Sequence, residues 1–226
     1  MTNLIKEMLI GTILGDAHLG RTGLNKAFIS FEQSIKKSDY LNHLYNLVNQ
    51  SNMALKAPKI YSREDFRYNV TNQSLFFRTK SLEEFKPLAD LFLDKNNHKT
   101  IPVNIADYLT PRSLAFWIMD DGQAVKKGGV TLCTDCYKPE EVNLLKFALE
   151  NKFGLSVSIH NKKSSKGNYF GRIYIFKSSL DQLKPDLKPH FHNSMLYKIN
   201  EVVPFKNNNL NSKVESVSND FDIGDI

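Results

Sequence analysis

Residues 9–17 read Leu-Ile-Gly-Thr-Ile-Leu-Gly-Asp-Ala, and residues 114–122 read Leu-Ala-Phe-Trp-Ile-Met-Asp-Asp-Gly. Each stretch is an apolar run that ends at an acid, Asp16 or Asp121, followed by a small residue. Drawn as helices, both runs are apolar on nearly all sides, which predicts two buried helices. A small residue such as Gly11 allows two helices to pack closely. We therefore expect the chain to bring its two acids together at the end of a helix pair.

The sequence that follows each run repeats as well. Two strand-like segments, a helix and two further strand-like segments lead to the pattern Ser-Leu-acid-x-apolar-Lys-Pro, at residues 81–87 and again at 179–185. The periodicities predict an α/β (α+β) fold of duplicated αββαββα halves with pseudo-two-fold symmetry. The halves are residues 1–100 and 101–205, and the polar tail 206–226 is predicted to be disordered. The predicted strands are residues 21–24, 28–34, 59–70, 74–79, 129–134, 156–161 and 169–176.

Composition limits the classes of function. The 226 residues carry a formal net charge of +6, which favours a polyanionic partner such as nucleic acid. The two cysteines, Cys133 and Cys136, do not form a disulfide framework and fit a reducing compartment. The sequence has neither a long apolar run nor a secretory signal pattern, so we expect no membrane span and no secretion. Asparagine accounts for 22 residues, a bias typical of AT-rich genomes that favours a mitochondrion, a plastid or another AT-rich host.

The two acid-terminated runs resemble the motif of the LAGLIDADG homing endonucleases, and specifically the single-chain branch that carries two motifs. The resemblance extends over about residues 4–204. It implies two saddle-shaped, mostly antiparallel sheets that lie in the major groove of double-stranded DNA, with two motif helices at the central interface. It also implies a monomer that makes a staggered double-strand break in a long target and promotes intron mobility. The implied cofactor is a divalent metal, usually Mg²⁺.

The same resemblance assigns the catalytic residues. Asp16 and Asp121 match the metal-binding carboxylates, and oxygen ligands suit Mg²⁺. The carbonyl groups of the preceding residues, Gly15 and Asp120, are expected to add to the coordination. Lys99 and Lys198 lie at matching ends of the two halves and are expected to stabilise charge in the transition state. Glu32 is expected to orient a water molecule.

DNA recognition is expected to come from the strands. Arginine and lysine hydrogen-bond guanine in the major groove, whereas other basic contacts go to phosphates and set the register. Two residues just past the acids, His18 and Gln123, are expected to face the DNA. The other candidates are Arg63, Arg67, Arg78, Lys162, Lys163, Lys166 and Arg172.

Two other functions use the same fold. One is an intron RNA maturase, a splicing cofactor without nuclease activity, and the other is a transcription regulator. The two retained acids favour the nuclease, because RNA binding alone requires neither. A regulator usually carries an additional DNA-binding element, for which this chain has no room. A protein that is both nuclease and maturase stays an alternative.

Overall fold

The structure is a computed structural model that describes residues 1–163, 167 and 169–201. The predicted disorder of 206–226 concerns residues outside these ranges. The α-helices are α1 (Asn3–Leu14), α2 (Ser38–Gln50), α3 (Lys86–Phe92), α4 (Pro111–Asp121), α5 (Pro139–Phe153) and α6 (Lys177–Leu187). The strands are β1 (His18–Thr22), β2 (Lys26–Ser34), β3 (Lys59–Asp65), β4 (Val70–Arg78), β5 (Gly122–Ala124), β6 (Val130–Leu132), β7 (Val157–Lys163) and β8 (Tyr169–Ile175).

The strands form two antiparallel four-stranded sheets, one on each side of residue 100 in the sequence. Their strand orders are β1-β2-β4-β3 and β5-β6-β8-β7. The equal orders confirm the predicted duplication and the α/β fold class. Within the part of the chain that the structure describes, no helix is long and apolar enough to cross a membrane.

Helices α1 and α4 pack against each other at the centre of the molecule. Thr2 and Thr110 cap their first turns by accepting hydrogen bonds from backbone amides. The helices approach so closely that a Cβ added to Gly11 would lie 2.1 Å from the carbonyl oxygen of Ser113. Trp117 of α4 is completely buried. The predicted buried helix pair is therefore confirmed, and its close packing depends on glycine.

The hairpin formed by β3 and β4 corrects one prediction made from the sequence. A strand was expected over residues 59–70, but β3 ends at Asp65 and β4 already begins at Val70. The chain reverses between them, where Asn69 adopts a φ of 49°. Asparagine tolerates this left-handed conformation better than most residues. Strand β5 was not predicted, because its three residues are too short to show an alternating pattern.

The two copies of the Ser-Leu-acid pattern fold differently, which sequence similarity alone did not predict. In the first copy, Leu82 exchanges two backbone hydrogen bonds with Ala27 of β2, and these hold the chain extended there. Helix α3 therefore begins only at Lys86. The second copy lies entirely within α6, with Pro185 inside the helix. Ser179 of this copy accepts a hydrogen bond from the amide of Ser156.

Candidate active site

The two motif helices deliver their acids to one cavity. Asp121 is the last residue of α4, and Asp16 follows the end of α1 by two positions. Both carboxyl groups line an open cavity of about 380 Å³ at the junction of the halves. The structure thus brings the two predicted acids together. The full lining is Asp16, Lys37, Asp120, Asp121, Gly122, Gln123, Ala124, Cys133, Tyr197 and Lys198.

Asp121 has a strongly perturbed carboxyl group. Burial and, to a smaller extent, the negative charge of Asp16 together raise its pKa to about 7. The positive charges of Lys99 and Lys198 oppose this shift. The protein therefore concentrates negative charge at a partly dehydrated position, which a bound cation would relieve.

Asp120 is a third acid that lines the cavity, and only 5% of the residue is exposed. Its Oδ1 accepts hydrogen bonds from the hydroxyl of Tyr40 at 2.8 Å and from Nε2 of Gln33 at 3.4 Å. Its Oδ2 accepts one from the backbone amide of Asp16 at 3.3 Å. Burial and the charge of Asp16 raise the pKa of Asp120, while the Tyr40 hydrogen bond lowers it.

The two predicted lysines occupy corresponding positions in the two halves. Lys99 Nζ donates to the carbonyl oxygens of Ile13, at 2.7 Å, and Gly15, at 3.1 Å. Lys198 Nζ donates to the carbonyl oxygen of Asp120 at 2.7 Å. Each lysine thus contacts the residue directly before one of the two candidate acids, Asp16 and Asp121. The carbonyl groups expected to assist the metal accept hydrogen bonds from these lysines.

Both lysines are removed from bulk water. Burial and, to a smaller extent, the neighbouring charge of Lys37 together lower the pKa of Lys198 to about 8. Burial also lowers the pKa of Lys99. The segment after Lys99 is anchored by Glu141 of α5, whose Oε1 accepts hydrogen bonds from the Thr100 hydroxyl and the Ile101 amide. The second half therefore fixes the lysine that serves the first motif.

Among the described residues, Glu32 makes no hydrogen bond to Asp16 or Asp121, and its expected role in orienting water stays a prediction. It lies on β2 and accepts a hydrogen bond from the Ser74 hydroxyl at 2.6 Å. The neighbouring side chain, Gln33, points to the opposite face of the sheet and donates to Asp16 Oδ2 at 2.8 Å. The alternation of side chains along a strand explains why adjacent residues have such different surroundings.

The first sheet has one face packed on the core and one open face. Directly paired residues share a face, so the register places His18, Ser30 and Arg78 together on the open face. Arg63 lies on the same face, opposite Asn72. The Arg78 guanidinium stacks over the Phe28 ring at 3.5 Å from its centroid. Arg67 instead lies in the turn after β3 and pairs with Asp65, away from the strands.

The second sheet has a corresponding open face. Gln123, Arg172 and Lys162 lie on it, and Arg172 Nη1 donates to Gln123 Oε1 at 3.2 Å. A two-point ion pair with Asp135 orients the same guanidinium. Lys163 is a correction, because the register turns it to the other face beside Tyr169. Lys166 lies outside the described residues.

The oxygen atoms at this site suit a hard divalent cation that takes some of its ligands from the protein and others from the substrate. Asp16, Asp120 and Asp121 line the cavity, and the Gly15 carbonyl oxygen lies directly before Asp16 in the chain. Among the residues the structure describes, no three His, Cys, Asp or Glu side chains converge as a self-sufficient metal site. Mg²⁺ commonly retains waters and takes phosphate oxygens from a substrate, so an incomplete protein shell suits it.

Sequence reasoning missed Gln33 and Tyr40. Gln33 gives a usable signal, because it is a polar residue at the buried positions of β2 that also hold Ile29 and Phe31. Tyr40 gives no such signal in the sequence, because a tyrosine on the buried side of α2 is typical of a helix packed on the core. Only the folded chain shows that its hydroxyl reaches Asp120.

These observations define an internally duplicated α/β protein with one acidic site between its halves and two open, partly basic sheet faces. The chain matches the model of the LAGLIDADG DNA endonuclease family over residues 6–183. It belongs to this family, and the resemblance stated from its motifs is confirmed.

Named relatives support the same assignment. The chain is 32% identical over 202 residues to the cytochrome b mRNA maturase bI2 of Saccharomyces cerevisiae, covering 86% of this chain but only 47% of that protein. It is 30% identical over 210 residues to the probable intron-encoded endonuclease 1 of Wickerhamomyces canadensis, covering 88% of this chain and 85% of that protein. Its fold is similar to the homing endonuclease I-WcaI bound to its DNA recognition sequence, with a TM-score of 0.78, 28% identity, and coverage of 89% and 88%.

Proposed function

We propose that this protein is a homing endonuclease that makes a staggered double-strand break in a long DNA target. The observation that carries the proposal is the pair Asp16 and Asp121, which end the two motif helices at one cavity. Carboxylates at helix C-termini are disfavoured by the helix dipole and by each other's charge. Their position therefore makes physical sense when a cation binds between them.

The proposed cofactor is a divalent cation, with Mg²⁺ as the expected ion. When bound, it supplies Lewis-acid stabilisation of the phosphate and lowers the pKa of a nearby water. The chain contributes the two carboxylates and the carbonyl oxygens of Gly15 and Asp120. Lys99 and Lys198 fix those carbonyl groups and place positive charge beside the site. Such preorganised charge stabilises the developing negative charge on the phosphate.

The open faces of the two sheets are the proposed DNA-reading surface. Each half, 1–100 and 101–205, would contact one half of the target. On this surface Arg63, Arg78, Lys162 and Arg172 supply positive charge, and His18 and Gln123 lie nearest the acids along their strands. Stacking on Phe28 and pairing with Asp135 hold Arg78 and Arg172 in defined orientations, which favours recognition of particular bases.

The proposed setting is a mobile intron in an organelle. The composition favours an AT-rich genome, and two relatives are named as a cytochrome b mRNA maturase and as an intron-encoded endonuclease. The protein is proposed to act as a monomer, because both motifs are present in one chain.

A cleavage map tests the proposed function. Purified protein and Mg²⁺ are incubated with genomic DNA from a close relative that lacks the gene, and the new DNA ends are sequenced. An insertion normally destroys its own target, so the uninterrupted locus has to be present. We expect discrete staggered breaks that require the metal and disappear with chelation. Their absence on DNA that contains the uninterrupted locus would contradict the nuclease proposal.

Asp16→Asn and Asp121→Asn are the matched controls. Each replaces a carboxylate by an amide of nearly the same shape, so we expect cleavage to fall at least a thousandfold while DNA affinity changes less than about fivefold. Fluorescence anisotropy with the mapped target in Ca²⁺ measures the affinity. Full cleavage by either variant would remove that acid from the mechanism.

A second candidate function is intron RNA maturation. Its specific support is the 32% identity to the bI2 maturase, of which this chain spans about half. A splicing assay with the intron that carries the gene distinguishes the two functions. Splicing that depends on the protein and persists in Asp16→Asn would assign the maturase activity, alone or beside the nuclease.

A further inference from the structure

The two motifs differ at one position inside the site. Gly15 precedes Asp16 in the first motif, whereas Asp120 precedes Asp121 in the second. The two residues face each other where the helices end, because a Cβ added to Gly15 would lie 2.5 Å from Asp120 Cβ and 2.9 Å from its Oδ2. The carboxyl group of Asp120 therefore occupies space that the glycine leaves free.

All three hydrogen-bond donors to this carboxyl group come from the opposite half of the molecule. Tyr40 belongs to α2, Gln33 to β2, and the third donor is the backbone amide of Asp16. Gln33 also donates to Asp16 Oδ2, so both the main chain and the side chain of this catalytic acid are linked to Asp120. Gly15 has no side chain that could do the same for Asp121.

We propose that Asp120 is a positioning residue that orients Asp16 from across the interface and thereby makes the two catalytic acids unequal. This inference rests on the proposed nuclease activity. Asp120 touches the amide of Asp16 and, through Gln33, its carboxylate, whereas no side chain in residues 1–163, 167 and 169–201 supports Asp121 in the same way. Loss of the Asp120 carboxylate therefore disturbs one catalytic acid more than the other, and the two DNA strands are affected unequally.

Asp120→Asn is the decisive variant because it keeps the shape of the side chain. An asparagine that accepts from Tyr40 through its oxygen turns its own NH₂ group toward the Asp16 amide, so two donors face each other. The variant is tested on a supercoiled plasmid that carries the mapped target. The wild type is expected to convert the plasmid to linear DNA, whereas Asp120→Asn accumulates nicked circles. We expect the ratio of the two strand-cleavage rates to change at least tenfold.

Tyr40→Phe is the second variant, and it decides the question if Asp120→Asn does not fold. It removes only the hydroxyl that donates to Asp120. We expect the same strand to be slowed, by a smaller factor. Asp181→Asn, at a half-exposed acid of α6 far along the chain from both motifs, is the matched control and should leave the strand ratio unchanged.

A second readout does not depend on cleavage. In the metal-free protein, the amide of Asp16 is expected to exchange its hydrogen at least tenfold faster in Asp120→Asn than in the wild type. If the wild type linearises the plasmid and both variants slow the two strands equally, or leave them unchanged, the positioning role is wrong. A wild type that cuts neither strand would instead refute the nuclease proposal on which it rests.

Discussion

At the scale of single residues, Asp121 links stability to pH in a direction unusual for a carboxyl group. Its pKa is about 7, against an ordinary 3.8, so the folded protein holds a proton that the unfolded chain has released. Between about pH 4 and pH 7 the folded state binds more protons, and stability therefore falls as the pH rises through this range. The fold is thus least stable when Asp121 is ionised, which is the form proposed to bind the metal.

This reasoning predicts the effect of Asp121→Asn on the metal-free protein. The amide cannot ionise, so we expect the variant to be more stable than the wild type at pH 7.5, by roughly 1–4 kcal/mol. The advantage should shrink to about 1 kcal/mol or less near pH 4.5, because the ordinary pKa of 3.8 lies only just below that pH. Urea denaturation at both pH values measures the difference in the free energy of unfolding between the variant and the wild type. Added Mg²⁺ should stabilise the wild type more than the variant.

Asp181→Asn serves as the control for that measurement. Hydrogen bonds from Lys177 and Lys184 lower the pKa of this half-exposed acid, so its loss should give no gain at pH 7.5. A wild type as stable as Asp121→Asn at pH 7.5 would mean that Asp121 ionises without a cost to the fold.

At the scale of elements, the motif helices show which features of the fold can be predicted from the sequence. Their apolar surface and small residues predict a buried pair, and the repeated downstream pattern predicts the order of the strands other than β5. The ends of helices and strands are harder to predict, because they depend on distant contacts. Leu82, for example, is held extended by Ala27, a partner 55 residues away. The candidate acids follow from the motif, but the contact between Tyr40 and Asp120 depends on how the halves pack.

Gly11→Ala tests the close helix contact. In an exposed helix this change stabilises by about 1 kcal/mol. Here the new methyl group would lie 2.1 Å from the Ser113 carbonyl oxygen and 2.8 Å from Phe116 Cβ, so the helices must separate. We expect a net loss of about 1–3 kcal/mol in the free energy of unfolding, measured by urea denaturation.

Asn46→Ala, at an exposed position of α2, is the control for Gly11→Ala. It should change the free energy of unfolding by less than about 0.5 kcal/mol. An unfolding midpoint that increased in Gly11→Ala would show that α1 and α4 do not need this close approach.

At the scale of the whole molecule, net charge and sheet register together predict how DNA binding responds to salt. The chain carries a net charge of +6, and basic side chains lie on both open faces. Each phosphate contact releases counterions, so log K should fall steeply with log salt, by nearly one unit of slope for each contact. A flat response would contradict a broad basic interface.

Lys162 and Lys163 provide a matched pair for this measurement. They are adjacent and exposed, but the register of β7 with β8 puts them on opposite faces of the sheet. We expect Lys162→Gln to reduce the salt slope by about one unit and Lys163→Gln to leave it unchanged. Equal effects would place the DNA elsewhere than on the open face.

The unequal pair of Gly15 and Asp120 also bears on the ancestry of the molecule. A homodimer of the second half would bring two buried carboxyl groups to the same crossing, without Tyr40 or Gln33 to bind them. A homodimer of the first half would leave a gap where Asp120 now lies. Each half is therefore adapted to the residue that the other half presents at this crossing.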